Sequence, residues 1–240
     1  MGCDIHAYAE VRREGKWEYV PIESDQQKNR RKIWLNGAGD GIASLNIGRN
    51  YDLFAILANV RNCGGFAGCD TGDGFNPISK PKGLPADVSL EVKAESDSWN
   101  GDGHSHSWHT LAGVLSYNWT QRTKLCGWVE GPVYEKWVRY GRDRGESPKI
   151  WCEGALGPSI EHISVQEMDR RVANLLASLE GRSWSKIEAE SQAKLGNYYC
   201  LLEWEQPYYK TCQGFWSDIV PELLWLGKPE DVRMVFWFDN

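Results

Sequence analysis

The sequence predicts an α+β fold. It would be a largely antiparallel sheet that contains both terminal strands, packed by three or four helices, with long Gly-rich and His-containing loops. Three observations carry this prediction. Residues 3–11 alternate between apolar and polar, which is the period of a strand, and residues 232–238 read as a second, terminal strand. A capping box followed by apolar residues at helical spacing begins at Ser164. Between these lie glycine- and histidine-rich stretches that keep to neither period.

At the amino end, Cys3, Ile5, Ala7, Ala9 and Val11 alternate with Asp4, His6, Tyr8 and Glu10. The first set makes an apolar strand face. The second is a row of two carboxylates, an imidazole and a phenol that either meets water or lines a pocket. Asp4 and His6 lie roughly 6–7 Å apart along one face, a spacing that suits a shared metal or phosphate. Arg13-Glu14-Gly15-Lys16 reads as a hairpin turn, and residues 17–22 as its partner strand. The basic run around Lys28, Arg30, Arg31 and Lys32 reads as a solvated loop. The Gly-Ala-Gly-Asp-Gly of residues 37–41 reads as a turn, because its glycine spacing is not a dinucleotide fingerprint.

Asn50 can cap a helix over about residues 51–60, with a broad apolar face that includes Phe54, Leu57 and Ala58. The Gly-rich run of residues 63–77 reads as a loop. Cys63 and Cys69 are six apart, not at the spacing of a structural zinc knuckle. Asp70 and Asp73 lack the pattern of a calcium loop. Residues 77–85 read as an extended connector, and residues 87–92 as one helical turn or a short strand.

Residues 97–110 hold three of the five histidines: His104, His106 and His109. Trp108, Leu111, Ala112, Leu115 and Trp119 recur at helical spacing. This predicts a helix from about residue 108 with Ser107 as its cap. His104 and His106 would then share one face of an extended segment before a helix amino end, where an anion is favoured. Metal ligation, phosphate capture and acid–base catalysis all suit such groups.

Several stretches give the chain a resemblance to known proteins. They are Met1-Gly2-Cys3-Asp4-Ile5-His6, the Arg49-Asn50-Tyr51-Asp52-Leu53-Phe54 segment running to Asn62, Gly83-Leu84-Pro85, His104-Ser105-His106-Ser107-Trp108 and the closing Val-Phe-Trp-Phe-Asp-Asn. Together they resemble a group of small proteins of tailed phages and prophages of unknown function. The resemblance implies a phage-encoded protein of the host cytoplasm and supplies no catalytic residues. Asp4-x-His6 and the Gly-His-Ser-His of residues 103–106 are also similar to binuclear metallophosphoesterase motifs. That family's Gly-Asn-His-Asp segment is missing, and Gly39-Asp40-Gly41 is a poor stand-in for its other motif, so the family is not assigned.

In the second half, residues 127–140 read as strand or irregular structure. Ser164-Val165-Gln166-Glu167 opens a helix with Met168, Val172, Leu175, Leu176 and Leu179 on one face, ended by Gly181. Residues 185–196 extend it or form an exposed helix. Residues 198–204 read as a strand, and residues 215–226 as a helix with Pro221 near its first turn. Residues 232–238 form the last strand, so Arg233 or Asp239 could join Asp4 and His6 on one polar face.

The 240 residues, 41% hydrophobic and 25% charged, suit one domain over residues 1–240, with residues 120–215 as an insertion or subdomain in the alternative. A net charge of −6 argues against a duplex nucleic acid as partner. The seven scattered cysteines argue for a reducing, cytoplasmic setting. No apolar run is long enough for a membrane span, and position 6 is His where a myristoylation motif expects Ser or Thr.

The functional expectation is a protein that binds, and hydrolyses, a small phosphorylated ligand of the nucleotide class. His104, His106, His6 and Asp4 are the candidate catalytic residues and the candidate ligands of a divalent metal. Tyr8, Trp99, Ser105, Ser107, Trp108, Arg61 and Arg233 are candidates for ligand binding, with Trp or Tyr stacking on a base. A nucleotide sponge of counter-defence type and a protein-binding inhibitor of a host factor are the alternatives. A Cys3 nucleophile paired with His6 is disfavoured, because alternation points the two apart.

Overall fold

A computed structural model describes residues 2–22, 42–65, 68–155 and 157–239. The basic run at 28–32 and the turn at 37–41 lie outside the described residues. The chain opens with strands β1 (Asp4–Arg13) and β2 (Lys16–Val20), then helices α1 (Tyr51–Ala58) and α2 (Leu90–Ser98). Strand β3 (His104–Thr110) and the short helix α3 (Leu111–Ser116) follow, then β4 (Arg122–Glu130) and α4 (Gly131–Tyr140). Next come β5 (Glu161–His162), α5 (Val165–Ser178), α6 (Trp184–Leu195) and β6 (Tyr198–Pro207). A short α7 (Tyr208–Thr211), a π-helical turn (Phe215–Ile219), α8 (Val220–Trp225) and β7 (Val232–Asp239) complete it. The fold is α+β. Among the described residues, no helix is long and apolar enough to cross a membrane.

The chain divides into two compact units, one of residues 1–62, 75–121 and 207–240 and the other of residues 63–74 and 122–206. The first is built on a four-stranded antiparallel sheet in the order β2-β1-β7-β3. Both terminal strands are therefore in one sheet, and they are direct neighbours. Glu14 and Gly15, both at positive φ, make the tight turn between β1 and β2.

Register decides the two faces of this sheet. Asp4, His6, Tyr8 and Glu10 lie opposite Asp239, Trp237, Val235 and Arg233, and Ile5, Ala7, Ala9 and Val11 opposite Phe238, Phe236, Met234 and Val232. Directly opposed residues share a face. Helix α1 covers the second face, with the Phe54 and Phe238 rings 5.1 Å apart. Helix α2 covers the first, where Tyr8, Val92, Val235 and Trp237 form a buried cluster. The row that alternation left open to water or a pocket is therefore half interior: Tyr8 and Glu10 are buried, while Asp4 and His6 reach the surface.

Glu10 is tolerated inside because it is paired. Its Oε2 accepts from Arg233 Nε at 2.6 Å and its Oε1 from the Ser89 backbone N–H at 2.7 Å. Ser89 caps α2, so this ion pair anchors the helix at its start. Arg233 gives its remaining donors to the side chain and carbonyl of Asp87, and its guanidinium lies 4.2 Å from the centre of the Trp17 ring.

The second unit has a three-stranded sheet in the order β4-β6-β5, with β5 and β6 parallel. Ser164 accepts the Glu167 N–H and starts α5, which buries Met168, Val172 and Leu175. Helix α4 occupies part of the stretch read as strand or irregular. Its aromatic and β-branched composition favours strands, but Pro132 fixes its first turn and Tyr134 is buried, donating to Asp169 at 2.9 Å.

Candidate functional site

The end of the first unit's sheet, where β1 and β3 begin and β7 finishes, gathers most of its unusual chemistry. His6 stands opposite Trp237 in the β1–β7 register. Its Nε2 lies 3.3 Å from Asp239 Oδ2, and its ring centre 3.9 Å from that of Trp99. Asp239 Oδ1 also accepts the Asp4 backbone N–H at 3.0 Å, which fixes the carboxylate between the two strands. At the rim, Asp4 takes a two-pronged bond from Arg49, with Nε at 2.9 Å and Nη2 at 2.6 Å. That bond holds the Asp4 carboxyl below the usual carboxylate range.

Strand β3 reaches the site through an irregularity. His104 pairs with Phe238 but Ser107 with Phe236, so three steps on β3 match two on β7. The extra residue is a β-bulge, with Ser105 at φ +54°. The expectation that His104 and His106 share a face fails for this reason. His104 stacks on Phe238, on the α1 face, with Nδ1 3.0 Å from Ser105 Oγ. His106 stacks on Trp237, on the α2 face, at 5.5 Å.

The bulge thus brings together a different pair. His6 and His106 come from the two strands that flank β7, and both lie stacked beside the buried indole of Trp237, at 6.2 and 5.5 Å. His106 Nε2 is 2.9 Å from Ser96 Oγ in the last turn of α2. Burial and, secondarily, the neighbouring His104 push the His106 imidazole down, which favours its neutral form. An open cavity of about 440 Å³ is lined by Gly83, Leu84, Ser96, Asp97, Asn100 and His106.

The other candidates fall elsewhere. Tyr8 is buried, with its hydroxyl 3.4 Å from Glu95, and Arg233 is spent on Glu10 and Asp87. Trp108 is a strand residue, not the start of a helix: the strand continues to Thr110, which caps α3 by accepting the Gly113 N–H. The Trp108 face is already occupied by the Lys82 ammonium at 3.9 Å. Ser107 lies opposite Phe236 and is fully buried. Arg61 stands beside the Cys3 thiol, which burial pushes up despite that cation. Among the described residues, no three His, Cys, Asp or Glu side chains converge as a metal-holding group, and Asp4, His6, His104 and His106 are not brought together.

Sequence reasoning missed Ser96, Arg49 and Trp237. Ser96 was hidden because α2 was read as a single turn at most. Arg49 carried a signal, since it precedes the Asn50 cap and so sits at a helix entry. No family model, curated protein or solved structure matches the chain.

Proposed function

We propose that the first unit binds a small phosphorylated ligand of the nucleotide class at the His6–His106 end of its sheet and cleaves a phosphoester bond there by acid–base chemistry. One observation carries this reading: two imidazoles flank one buried indole and hold different partners, the Asp239 carboxylate and the Ser96 hydroxyl. Phosphoester cleavage needs a group that removes a proton from the nucleophile and one that protonates the leaving oxygen. Imidazole can do either near neutral pH. His6 lies against the Asp239 carboxylate, which orients its ring, and the desolvated His106 serves as the base. Arg49 at the rim supplies a cation that a phosphate would share with Asp4, and Trp99 offers an indole for a base to stack on.

Sequestration without turnover is the second reading. It is favoured by Trp99, whose packing over His6 restricts that ring. Incubation with linear and cyclic nucleotides, with and without a divalent metal, separates the readings when chromatography precedes and follows heat denaturation. Product peaks are expected, with His6→Gln and His106→Gln each lowering the rate by about 10²–10⁴. Intact ligand released on heating would replace cleavage by sequestration. Dependence on added metal would restore the metal reading of Asp4 and His6. No change for any nucleotide would overturn the proposal in favour of a protein partner.

A further inference from the structure

Ser96 and Ser105 both meet a histidine, but of the two only Ser96 lines the cavity, together with its histidine. Ser96 lies in the last turn of α2, three residues before Trp99, so the two side chains project from one face of the helix. That face lies on the sheet, with Trp99 against His6 and Ser96 against His106. Its hydroxyl is 2.9 Å from His106 Nε2, within the reach that defines a nucleophile and its base, and both residues line the 440 Å³ cavity. The chain then reverses through Asn100, at φ +48°, and returns to β3 past Gly103. A Cβ on Gly103 would stand 3.2 Å from Trp99 Cβ, 3.3 Å from Trp237 Cδ1 and 3.6 Å from His106 Cε1. The close approaches at this glycine are to Trp99 and Trp237, and the His106 ring stacks on that Trp237 beside the helix end that carries Ser96.

We propose that Ser96 is the nucleophile of this site, activated by His106 and transiently carrying the phosphoryl group of the ligand. This rests on the phosphoester reading and names its covalent step. The Ser96 Oγ–P bond forms while the P–O bond to the leaving group breaks. The hydroxyl proton goes to His106 Nε2, and the leaving oxygen takes a proton from His6, held against Asp239. Water then attacks the same phosphorus. His6 takes the water proton, and the departing Ser96 oxygen recovers its own from His106. Both imidazoles return to their starting states, and the net reaction consumes one water.

The test uses diisopropyl fluorophosphate, which reports an activated serine by forming an Oγ–P bond and expelling fluoride. Intact mass and peptide mapping of the full chain should find one adduct, at Ser96. It should be absent from heat-denatured protein and from Ser96→Ala, and form at least about 100-fold more slowly in His106→Gln. No adduct, or an adduct on another residue, overturns the proposal without any variant having to fold. Nucleotide turnover separates it from the reading beneath it. Unchanged turnover in folded Ser96→Ala rejects the serine step and leaves acid–base cleavage by water standing. Labelling at Ser96 without turnover of any nucleotide supports the nucleophile and rejects the nucleotide reading.

Discussion

Replacing Arg233 by Met should be among the most damaging single changes in the first unit, although Arg233 lies four residues along β7 from Trp237, beside which His6 and His106 stack. The guanidinium is 2% exposed and Glu10 is fully buried. Without Arg233, the Glu10 carboxylate keeps one neutral donor, the Ser89 N–H. Breaking a buried pair in this way costs about 3–5 kcal/mol, because the surviving charge has lost both its water and its partner. Removing both partners, in Glu10→Leu with Arg233→Met, eliminates that charge. It leaves the Ser89 N–H and Asp87 to be satisfied, at about 1–3 kcal/mol. The double variant is therefore expected to be more stable than Arg233→Met alone. Hydrogen exchange of the β1 and β7 amides reads the first unit without averaging over the second. Arg233→Met should lower their protection about 140- to 3,700-fold at a tenfold change per 1.4 kcal/mol, and the double variant should recover at least a tenth of that loss in logarithmic terms. A fall of less than about fivefold in Arg233→Met, or a double variant no better than the single, would refute the assignment of Glu10 as a charge held in place by Arg233.

Two further outcomes follow from buried geometry. His109 is 4% exposed, bonded to the Leu57 carbonyl at 2.8 Å, and burial, with Lys82 nearby, pushes it down to about 4. Its folded value lies below the unfolded value of about 6.5, so its contribution is full above pH 6.5 and is lost as pH falls toward 4, by on the order of 3 kcal/mol. Urea midpoints across pH 7 to 4.5 should lose this slope in His109→Gln, and an unchanged slope would reject the role. Gly103→Ala must displace Trp99 or Trp237 by a few tenths of an ångström. It should cost about 1–2 kcal/mol in thermal unfolding while slowing fluorophosphate labelling about tenfold or more, because a displaced Trp237 carries with it the His106 ring stacked on it. Labelling at the parent rate would show that the close packing at Gly103 does not position His106.

The legible parts of the sequence were those whose signal is local. Alternation at 3–11 and the apolar run at 232–238 placed both terminal strands. Asn50 and Ser164 marked helix starts, and each accepts the backbone N–H that a cap should. The misreadings came where tertiary structure outweighs pattern. Helix α2, Leu-Glu-Val-Lys-Ala-Glu-Ser-Asp-Ser, is mostly polar and buries only Val92 and Ser96, so it has almost no apolar stripe to read. The apolar residues of 108–119 do recur at helical spacing, yet Trp108 and His109 pair with Val235 and Met234 because β7 offers them a buried partner strand. Asp4, His6, Trp99 and His106 could be singled out because each is a chemistry-bearing residue in a glycine-flanked or terminal stretch. Their partners Asp239 and Ser96 are separated from them by 233 and 10 residues, and only the register of β1 on β7 and the end of α2 bring them within reach.

The bulge at Ser105 joins these two levels. A regular β3 would keep His104 and His106 on one face, against the partners of a single β7 face, with no residue at positive φ. Instead Ser105 takes a left-handed conformation that costs a non-glycine residue about 1–2 kcal/mol. What that cost secures is a rotation: His106 turns to the α2 face, beside Trp237 and opposite Ser96, while His104 stays with Phe238. Packing alone does not require it, since Phe238 and Phe236 are already covered on the α1 face and His106 is only half buried where it lands. Asn100, at the other end of the same connection, is likewise left-handed. Two unfavourable backbone conformations within six residues, flanking the glycine that admits the ring, concentrate strain at the point where an imidazole meets a hydroxyl. Strain of this kind persists where the surrounding fold enforces it, and here the β7 register and the Ser89–Glu10 anchor of α2 do so.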